Sequence, residues 1–235
     1  MNPRPGGLVR VMTWNIHGGV GTDGRFDLGR VVETIERHHV DVVALQEVDS
    51  RRTLAPARSA FAVLREAVGE HRVEAKSIVT ADGDYGQMVV SRWPFGATEI
   101  HDLTIAKREP RRAIEVDIAA PGGTLRLVAA HFGLSFRERR HQARRLVAIA
   151  RRHPTTTVML GDFNEWSWPV RSMARLGASS PPARTRHATF PSWYPLLRLD
   201  RIFCWPPGAL RASFVDQSAR RASDHLPVIA DIAIK

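Results

Sequence analysis

The run Leu160-Gly161-Asp162-Phe163-Asn164 sets a carboxylate and a carboxamide two residues apart, just after the β-branched, apolar segment Thr155 to Met159. Such a segment reads as a buried strand. Where strand geometry persists, Asp162 and Asn164 point to the same side. Polar groups at the end of a buried strand are costly unless something uses them. This pair offers negative charge, a proton acceptor and an amide that can orient a neighbour. A simple turn is the alternative for the stretch taken alone. Further on, Ser223-Asp224-His225-Leu226-Pro227 sets a carboxylate beside an imidazole at a strand entry. That pair suits a metal ligand and a ring facing a reacting group, or merely a hydrogen-bonded turn. Asp200, inside Leu199-Asp200-Arg201-Ile202-Phe203, needs a buried partner. An imidazole N–H is a natural one, and it would hold the ring in one tautomer.

The elements that must carry these groups are legible in outline. Leu8 to Asn15 reads as a strand and the glycines at 18, 19, 21 and 24 as a loop. Asp27 then caps a helix with Leu28, Val31, Val32 and Ile35 on one face, ending in a solvated turn at His38 and His39. Asp41 to Gln46 is a buried strand with Glu47 at its end. A helix over 59–69 is followed by strands at 71–79, 85–91, 97–105 and 112–119, a hairpin turn at Pro121-Gly122-Gly123, and a strand from Leu125 to His131. Ser135 caps a helix to about 152, with Ala143, Leu146, Val147 and Ala150 inward and Arg137, Arg140, Arg144 and Arg151 outward. After the Asp162 turn come a short helix over 168–176, an irregular aromatic and Pro-rich loop over 177–195, and strands over 197–204, 209–216 and 226–234.

One pattern occurs twice. Strand, Asn15, helix, strand, Glu47 is echoed by strand, His131, helix, strand, Asp162, with polar-to-acid separations of 32 and 31 residues. Each half delivers a polar side chain and a carboxylate from neighbouring strand ends. Two halves packed face to face would gather all four groups at one end of a sandwich with helices outside.

Bulk properties narrow the class. The chain has 235 residues, 43% of them hydrophobic, which suits one globular domain over 1–235 with a flexible start at 1–7. No apolar run is long enough for a bilayer and none near the N-terminus has signal-peptide character, so the cytoplasm is the expected location. The lone Cys204 excludes an internal disulfide and a Cys-rich metal site. The net charge of +10 favours an anionic partner. Only three of the 34 basic residues are lysines, however, so coding composition can account for part of that excess. There is no Gly-x-Ser-x-Gly elbow, which disfavours Ser/His/Asp hydrolysis.

Thr13-Trp14-Asn15-Ile16, Leu45-Gln46-Glu47-Val48, Tyr85-Gly86, His131, Gly161-Asp162-Phe163-Asn164, Leu199-Asp200-Arg201-Ile202 and Ser223-Asp224-His225-Leu226-Pro227 together resemble the endonuclease/exonuclease/phosphatase superfamily. The match is colinear from about Val9 to Asp231. Trp14-Asn15-Ile16-His17, Val48-Asp49-Ser50-Arg51-Arg52 and Thr189-Phe190-Pro191-Ser192 look like a compact bacterial branch. The resemblance implies a deoxyribonuclease-like α/β fold, a four-layered αββα sandwich of two packed mixed sheets flanked by helices. It implies a phosphoester hydrolase using Mg²⁺ or Mn²⁺. Glu47 would be the main metal carboxylate, with Asn15 beside it and Asp224 as a further ligand. Asp162 would position or deprotonate water and Asn164 would help hold it. His225, oriented by Asp200, would face the phosphate, while His131 and Tyr85 would donate to its oxygens. Gln87 departs from the Asn found there in many members, which lengthens its reach toward substrate. Arg111 and Arg112 lie in a segment that approaches substrate in this branch, and Arg112 is taken as substrate-binding. The expected reaction is phosphodiester hydrolysis on nucleic acid or a phospholipid headgroup. A phosphomonoesterase on a sugar or inositol phosphate and a non-catalytic phosphate-binding module are the alternatives. A phosphorylated small molecule as substrate, a peripheral membrane contact and a monomeric state complete the expectations.

Overall fold

The computed structural model describes residues 7–52, 59–150, 155–166 and 182–234. The doubled pattern is the frame of the molecule. Strand β1 (Leu8–Asn15), helix α1 (Leu28–Arg37) and strand β2 (Val42–Asp49) form one crossover unit, and β1 pairs parallel with β2. Helix α2 (Ala60–Arg65) and strands β3 (His71–Thr80), β4 (Gly83–Ser91), β5 (Phe95–Asp102) and β6 (Arg112–Ala120) follow. The second unit is β7 (Gly123–His131), α3 (Phe136–Ala150) and β8 (Thr156–Asp162), with β7 parallel to β8. Strands β9 (Ala183–Arg184), β10 (Asp200–Trp205), β11 (Leu210–Val215) and β12 (Val228–Ala233) complete the described chain.

The strands form two six-stranded sheets, ordered β11-β12-β1-β2-β4-β3 and β5-β6-β7-β8-β10-β9. Each has its parallel pair in the middle and antiparallel neighbours on both sides. The alternation of side chains along each strand fixes the layers. Val9 and Val11 of β1 meet Leu125, Leu127, Val158 and Leu160 of the other sheet in one buried cluster between the sheets. Met12 and Trp14, on the opposite face of β1, pack with Val31 and Ile35 of α1 and Phe61 and Leu64 of α2. Val128 and Ala130 of β7 likewise pack with Ala143, Leu146 and Val147 of α3. The result is a four-layered αββα sandwich. Each fully buried Val, Leu or Ile adds about 1.5–3 kcal/mol relative to an exposed one.

The helix starts follow from local chemistry. The Asp27 carboxylate accepts from Gly29 N–H at 2.9 Å, and the Ser59 hydroxyl from Ala62 N–H at 3.1 Å. At α3, Glu138 N–H donates to Ser135 Oγ and Ser135 N–H to Glu138 Oε2, a reciprocal capping box.

Several boundaries differ from the sequence reading. Strand β2 does not stop at Glu47 but runs through it to Asp49, because a bulge there absorbs one residue. Helix α2 ends at Arg65, and β5 starts at Phe95 and ends at Asp102. His38 is not a solvated end group: its Nε2 lies 2.9 Å from Asp216 and its ring packs on Phe214. On α3, Arg137, Arg140 and Arg144 are exposed as expected, whereas Arg139 is buried under Trp166. Arg151 and the expected helix over 168–176 lie outside the described residues. The described part of the 177–195 loop packs onto the domain, Thr185 N–H donating to Ile202 O and Leu226 N–H to Thr189 O.

Candidate active site

At the end of β8, Gly161 lets the second crossover unit close. It is paired with Ala130 of β7 at φ 146°, and a Cβ built there would stand 1.8 Å from Ala130 O. Only glycine permits that approach. His131 and Asp162 are consequently level in the ladder. The strand stops at Asp162, so Asn164 does not share its side through strand alternation. It turns back instead, with φ 48°, and its N–H donates to Asp162 Oδ1 at 2.9 Å. Its amide donates to Phe132 O at 2.9 Å and lies 3.3 Å from His131 Nε2.

The other sheet brings Asn15 and Glu47 to the same place. Glu47 sits at the β2 bulge with φ 56°, a left-handed conformation that re-aims its side chain. The Asn15 amide donates to Glu47 Oε1 at 2.8 Å and to Asp162 Oδ2 at 3.0 Å. One carboxamide therefore ties a carboxylate of each sheet together. His131 Nε2 lies 3.9 Å from Glu47 Oε1 and 3.6 Å from Asp162 Oδ2.

His225 enters from the loop before β12. Its Nδ1 is 2.8 Å from Asp200 Oδ2, which also accepts from Thr189 Oγ1 at 2.6 Å. Asp200 is fully buried, so the ring has little freedom. Phe190 packs on it with centroids 4.9 Å apart, and His225 Nε2 is 4.0 Å from Asp162 Oδ2. Ser223 Oγ donates to Asn15 O at 2.8 Å, which fastens the Asp224 segment to the end of β1. The Asp224 carboxylate is about one-third exposed and 3.8 Å from His17 Nδ1.

The two imidazoles have opposite electrostatics. Burial alone would discharge His225, but Asp200 and Asp162 outweigh it and raise its pKa to about 10. His131 is driven well below the usual imidazole range, first by burial and then by the Arg111 guanidinium, so it is neutral. Burial, and then the Asp200 charge, raise Asp162 to about 6.

Tyr85 belongs to the same end of the molecule. Arg51 lies over its ring at 5.0 Å, and burial followed by the Glu47 charge raises its phenol pKa. Tyr85, Gln87, Arg111, Arg112 and His131 line a side cavity of about 10 Å³. Gln87 Nε2 donates to Arg112 O at 2.6 Å, and the Arg112 guanidinium reaches Asp102 at 3.1 Å. Both thus line a cavity that His131 shares, while Arg111 reaches His131 directly, Nη1 to Nδ1 at 2.8 Å. Thr189, Ser223 and Phe190 also support the site; the Ser223-Asp224-His225 run and the Thr189-Phe190-Pro191-Ser192 run were the sequence signals for them, without indicating their contacts.

Oxygen donors dominate the cluster: Glu47 and Asp162 share the Asn15 amide, and carboxylate and carboxamide oxygens suit a hard divalent cation. Asp162 with a raised pKa beside a second carboxylate is a site where such a cation would relieve repulsion. Ligand atoms of Asp162, Asp200 and His225 also lie within 4.8 Å of one another. Asp200 Oδ2 is already engaged by His225 and Thr189, so this trio is joined by an acid–imidazole hydrogen bond.

The αββα sandwich thus gathers carboxylates, a carboxamide and two imidazoles at one end of its two sheets. The sequence model for the endonuclease/exonuclease/phosphatase family matches residues 12–225, and the chain belongs to that family. Members of the family are phosphoester hydrolases that generally use divalent metals, and this chain is an enzyme of that class. It is 29% identical to the Escherichia coli K12 protein YbhP, itself described as uncharacterized, over 95% of both chains. Among solved structures, an endonuclease/exonuclease/phosphatase from Beutenbergia cavernae superposes with TM-score 0.78 and 25% identity, over 97% of this chain and 72% of that one. Two more distant structures share the fold. Danio rerio TDP2 complexed with a single-strand DNA product has TM-score 0.65 and 19% identity over 95% and 98% of the two chains. The Bacteroides thetaiotaomicron mannosyl-6-phosphatase Bt3783 has TM-score 0.70 and 15% identity over 94% and 98%.

Proposed function

We propose that this chain is a Mg²⁺- or Mn²⁺-dependent phosphodiesterase acting on nucleic acid or a phospholipid headgroup. The observation that carries the reading is the Asn15 amide joining Glu47 and Asp162 across the two sheets, with His131 and His225 beside them. Glu47, Asn15 and Asp224 would hold the cation, which when bound supplies Lewis-acid polarisation of the phosphoryl oxygens. Asp162, poised near 6, accepts the proton of the attacking water. Asn164 and Asn15 fix that carboxylate by N–H donation. The His225 imidazolium, held by Asp200, stabilises charge growing on the phosphoryl oxygens, and neutral His131 donates a hydrogen bond there.

Charge supports a diester. Arg111 is engaged by His131 and Glu109, which leaves His225 as the available cation among the described residues contacting Asp162. A singly charged diester needs less fixed positive charge than a monoester dianion. Exposed apolar side chains also lie near the site residues in sequence. Trp193, Tyr194 and Leu196 follow Phe190, while Leu134, Phe136 and Trp166 lie close in sequence to His131 and Asn164. They suit base stacking or a peripheral lipid contact. Among the described residues no helix is long and apolar enough to cross a membrane.

A panel of bis(p-nitrophenyl) phosphate, p-nitrophenyl phosphate, single-stranded DNA and phospholipid vesicles tests this, each with Mg²⁺, Mn²⁺ or chelator. Diester turnover should need metal and vanish in Asp162→Ala and His225→Ala while circular dichroism is unchanged. Faster monoester turnover would transfer the chain to the phosphomonoesterase reading. Metal-independent binding without turnover would leave only a phosphate-binding module.

A further inference from the structure

We propose that Arg111 is a positioning residue that fixes His131 as the tautomer protonated on Nε2, so that the ring always presents an N–H donor to the catalytic cleft. A guanidinium has only donors. Its Nη1 lies 2.8 Å from His131 Nδ1, so Nδ1 must offer its lone pair and the ring proton must sit on Nε2. The surroundings of Nε2 agree. Two carboxylate oxygens face it, Asp162 Oδ2 at 3.6 Å and Glu47 Oε1 at 3.9 Å. Among the described residues, the one group that would donate to Nε2 instead is the second N–H of the Asn164 amide, 3.3 Å away and uncharged, a longer contact than the 2.8 Å guanidinium bond to Nδ1; its other N–H goes to Phe132 O at 2.9 Å. The opposite tautomer would press Nδ1–H against the Arg111 N–H and turn a lone pair toward two carboxylates.

Arg111 is itself held for this purpose. It is buried, and its Nη2 reaches Glu109 Oε2 at 3.2 Å. Its backbone N–H donates to Thr104 Oγ1 and its carbonyl accepts from Leu103 N–H. A guanidinium on Nδ1 serves a ring whose Nε2 must not become an acceptor. The comparison with His225 makes the logic plain. There Asp200 sits on Nδ1 and the ring is cationic; here Arg111 sits on Nδ1 and the ring is a neutral donor. The two imidazoles, one at the end of β7 and one in the loop before β12, thus have Nδ1 held by groups of opposite charge in one cleft. The catalytic consequence rests on the phosphoesterase reading, whereas the tautomer does not.

Long-range ¹H–¹⁵N correlation on ¹⁵N-histidine-labelled protein reads the tautomer directly, the His131 signal being assigned by its loss in His131→Ala. Wild type should show a neutral ring protonated on Nε2. Arg111→Met should lose that pattern, giving mixed tautomers. Arg111→Lys, which can still donate to Nδ1, should keep it. With bis(p-nitrophenyl) phosphate, Arg111→Met should lower kcat by about 10–100-fold, in the range of other supporting-residue losses. KM should change little, and Arg111→Lys should recover part of the loss. Thermal melts of all three proteins separate this from misfolding. A wild-type ring protonated on Nδ1, or an unchanged ring and kcat in Arg111→Met, would overturn the proposal. If wild type turns over no ester yet shows the Nε2–H ring, the positioning role stands and the phosphoesterase reading fails.

Discussion

On the proposed reading, Asp200 would act on the reaction without touching substrate. It is fully buried, accepts from Thr189 and holds His225 by a 2.8 Å bond. Asp200→Asn keeps the volume and removes the charge that sustains the imidazolium. The expected result is a fall in kcat of about 10²–10⁴-fold, the scale seen when the acid behind a catalytic histidine is neutralised. Far-ultraviolet dichroism should be unchanged, and a kcat within twofold of wild type would remove Asp200 from the relay. The candidate site groups were legible because carboxylates, amides and imidazoles at strand ends are costly unless used. Their supports were not. Thr189 is 11 residues from Asp200, and Ser223 is 208 from Asn15, so neither pairing leaves a local signature. Arg111 and Arg112 are adjacent and chemically alike. At the entrance to β6 one reaches His131 and the other Asp102, which the sequence could not rank.

At the scale of elements, the doubled crossover was readable because β-branched runs and amphipathic helices recur at matching spacing. The ends were harder, since a bulge or a left-handed residue is an outcome of tertiary pairing rather than of composition. Glu47 and Asn164 are both such residues, and both sit at the site. Gly161 makes the tightest test of this geometry. Gly122, in the β6–β7 turn, also has positive φ, 99°, but a Cβ there meets nothing within 4 Å. Gly122→Ala should cost about 1 kcal/mol, the backbone term alone. Gly161→Ala adds a collision with the Ala130 carbonyl, and overpacking of that kind costs a further 1–3 kcal/mol or so. Urea unfolding of the two variants should therefore differ in midpoint in that order. Equal midpoints would mean that β7 and β8 are not held as closely at the site as their pairing indicates.

On the scale of the whole molecule, the site is the seam between two sheets, and neither sheet carries it alone. Asn15 and Glu47 come from one, Asp162 and His131 from the other, and a single amide spans them. Gathering Glu47 and Asp162 around that amide concentrates negative charge inside a chain whose net charge is +10. A divalent cation bound there should act as a staple as well as a cofactor. A ligand that binds only the folded state stabilises it by about 2.7 kcal/mol at 100 times its Kd. Mg²⁺ or Mn²⁺ should accordingly raise the unfolding temperature and chelator should reverse the rise. Glu47→Gln gives a sign test. Without metal it removes a like charge from beside Asp162 and should leave the protein as stable as wild type or more so. With metal it should forfeit most of the rise, because its amide is a weaker ligand for a hard cation. The variant and wild type should therefore exchange order between chelator and saturating metal. An equal metal-induced shift in both would place the cation away from Glu47 and detach stability from the cleft.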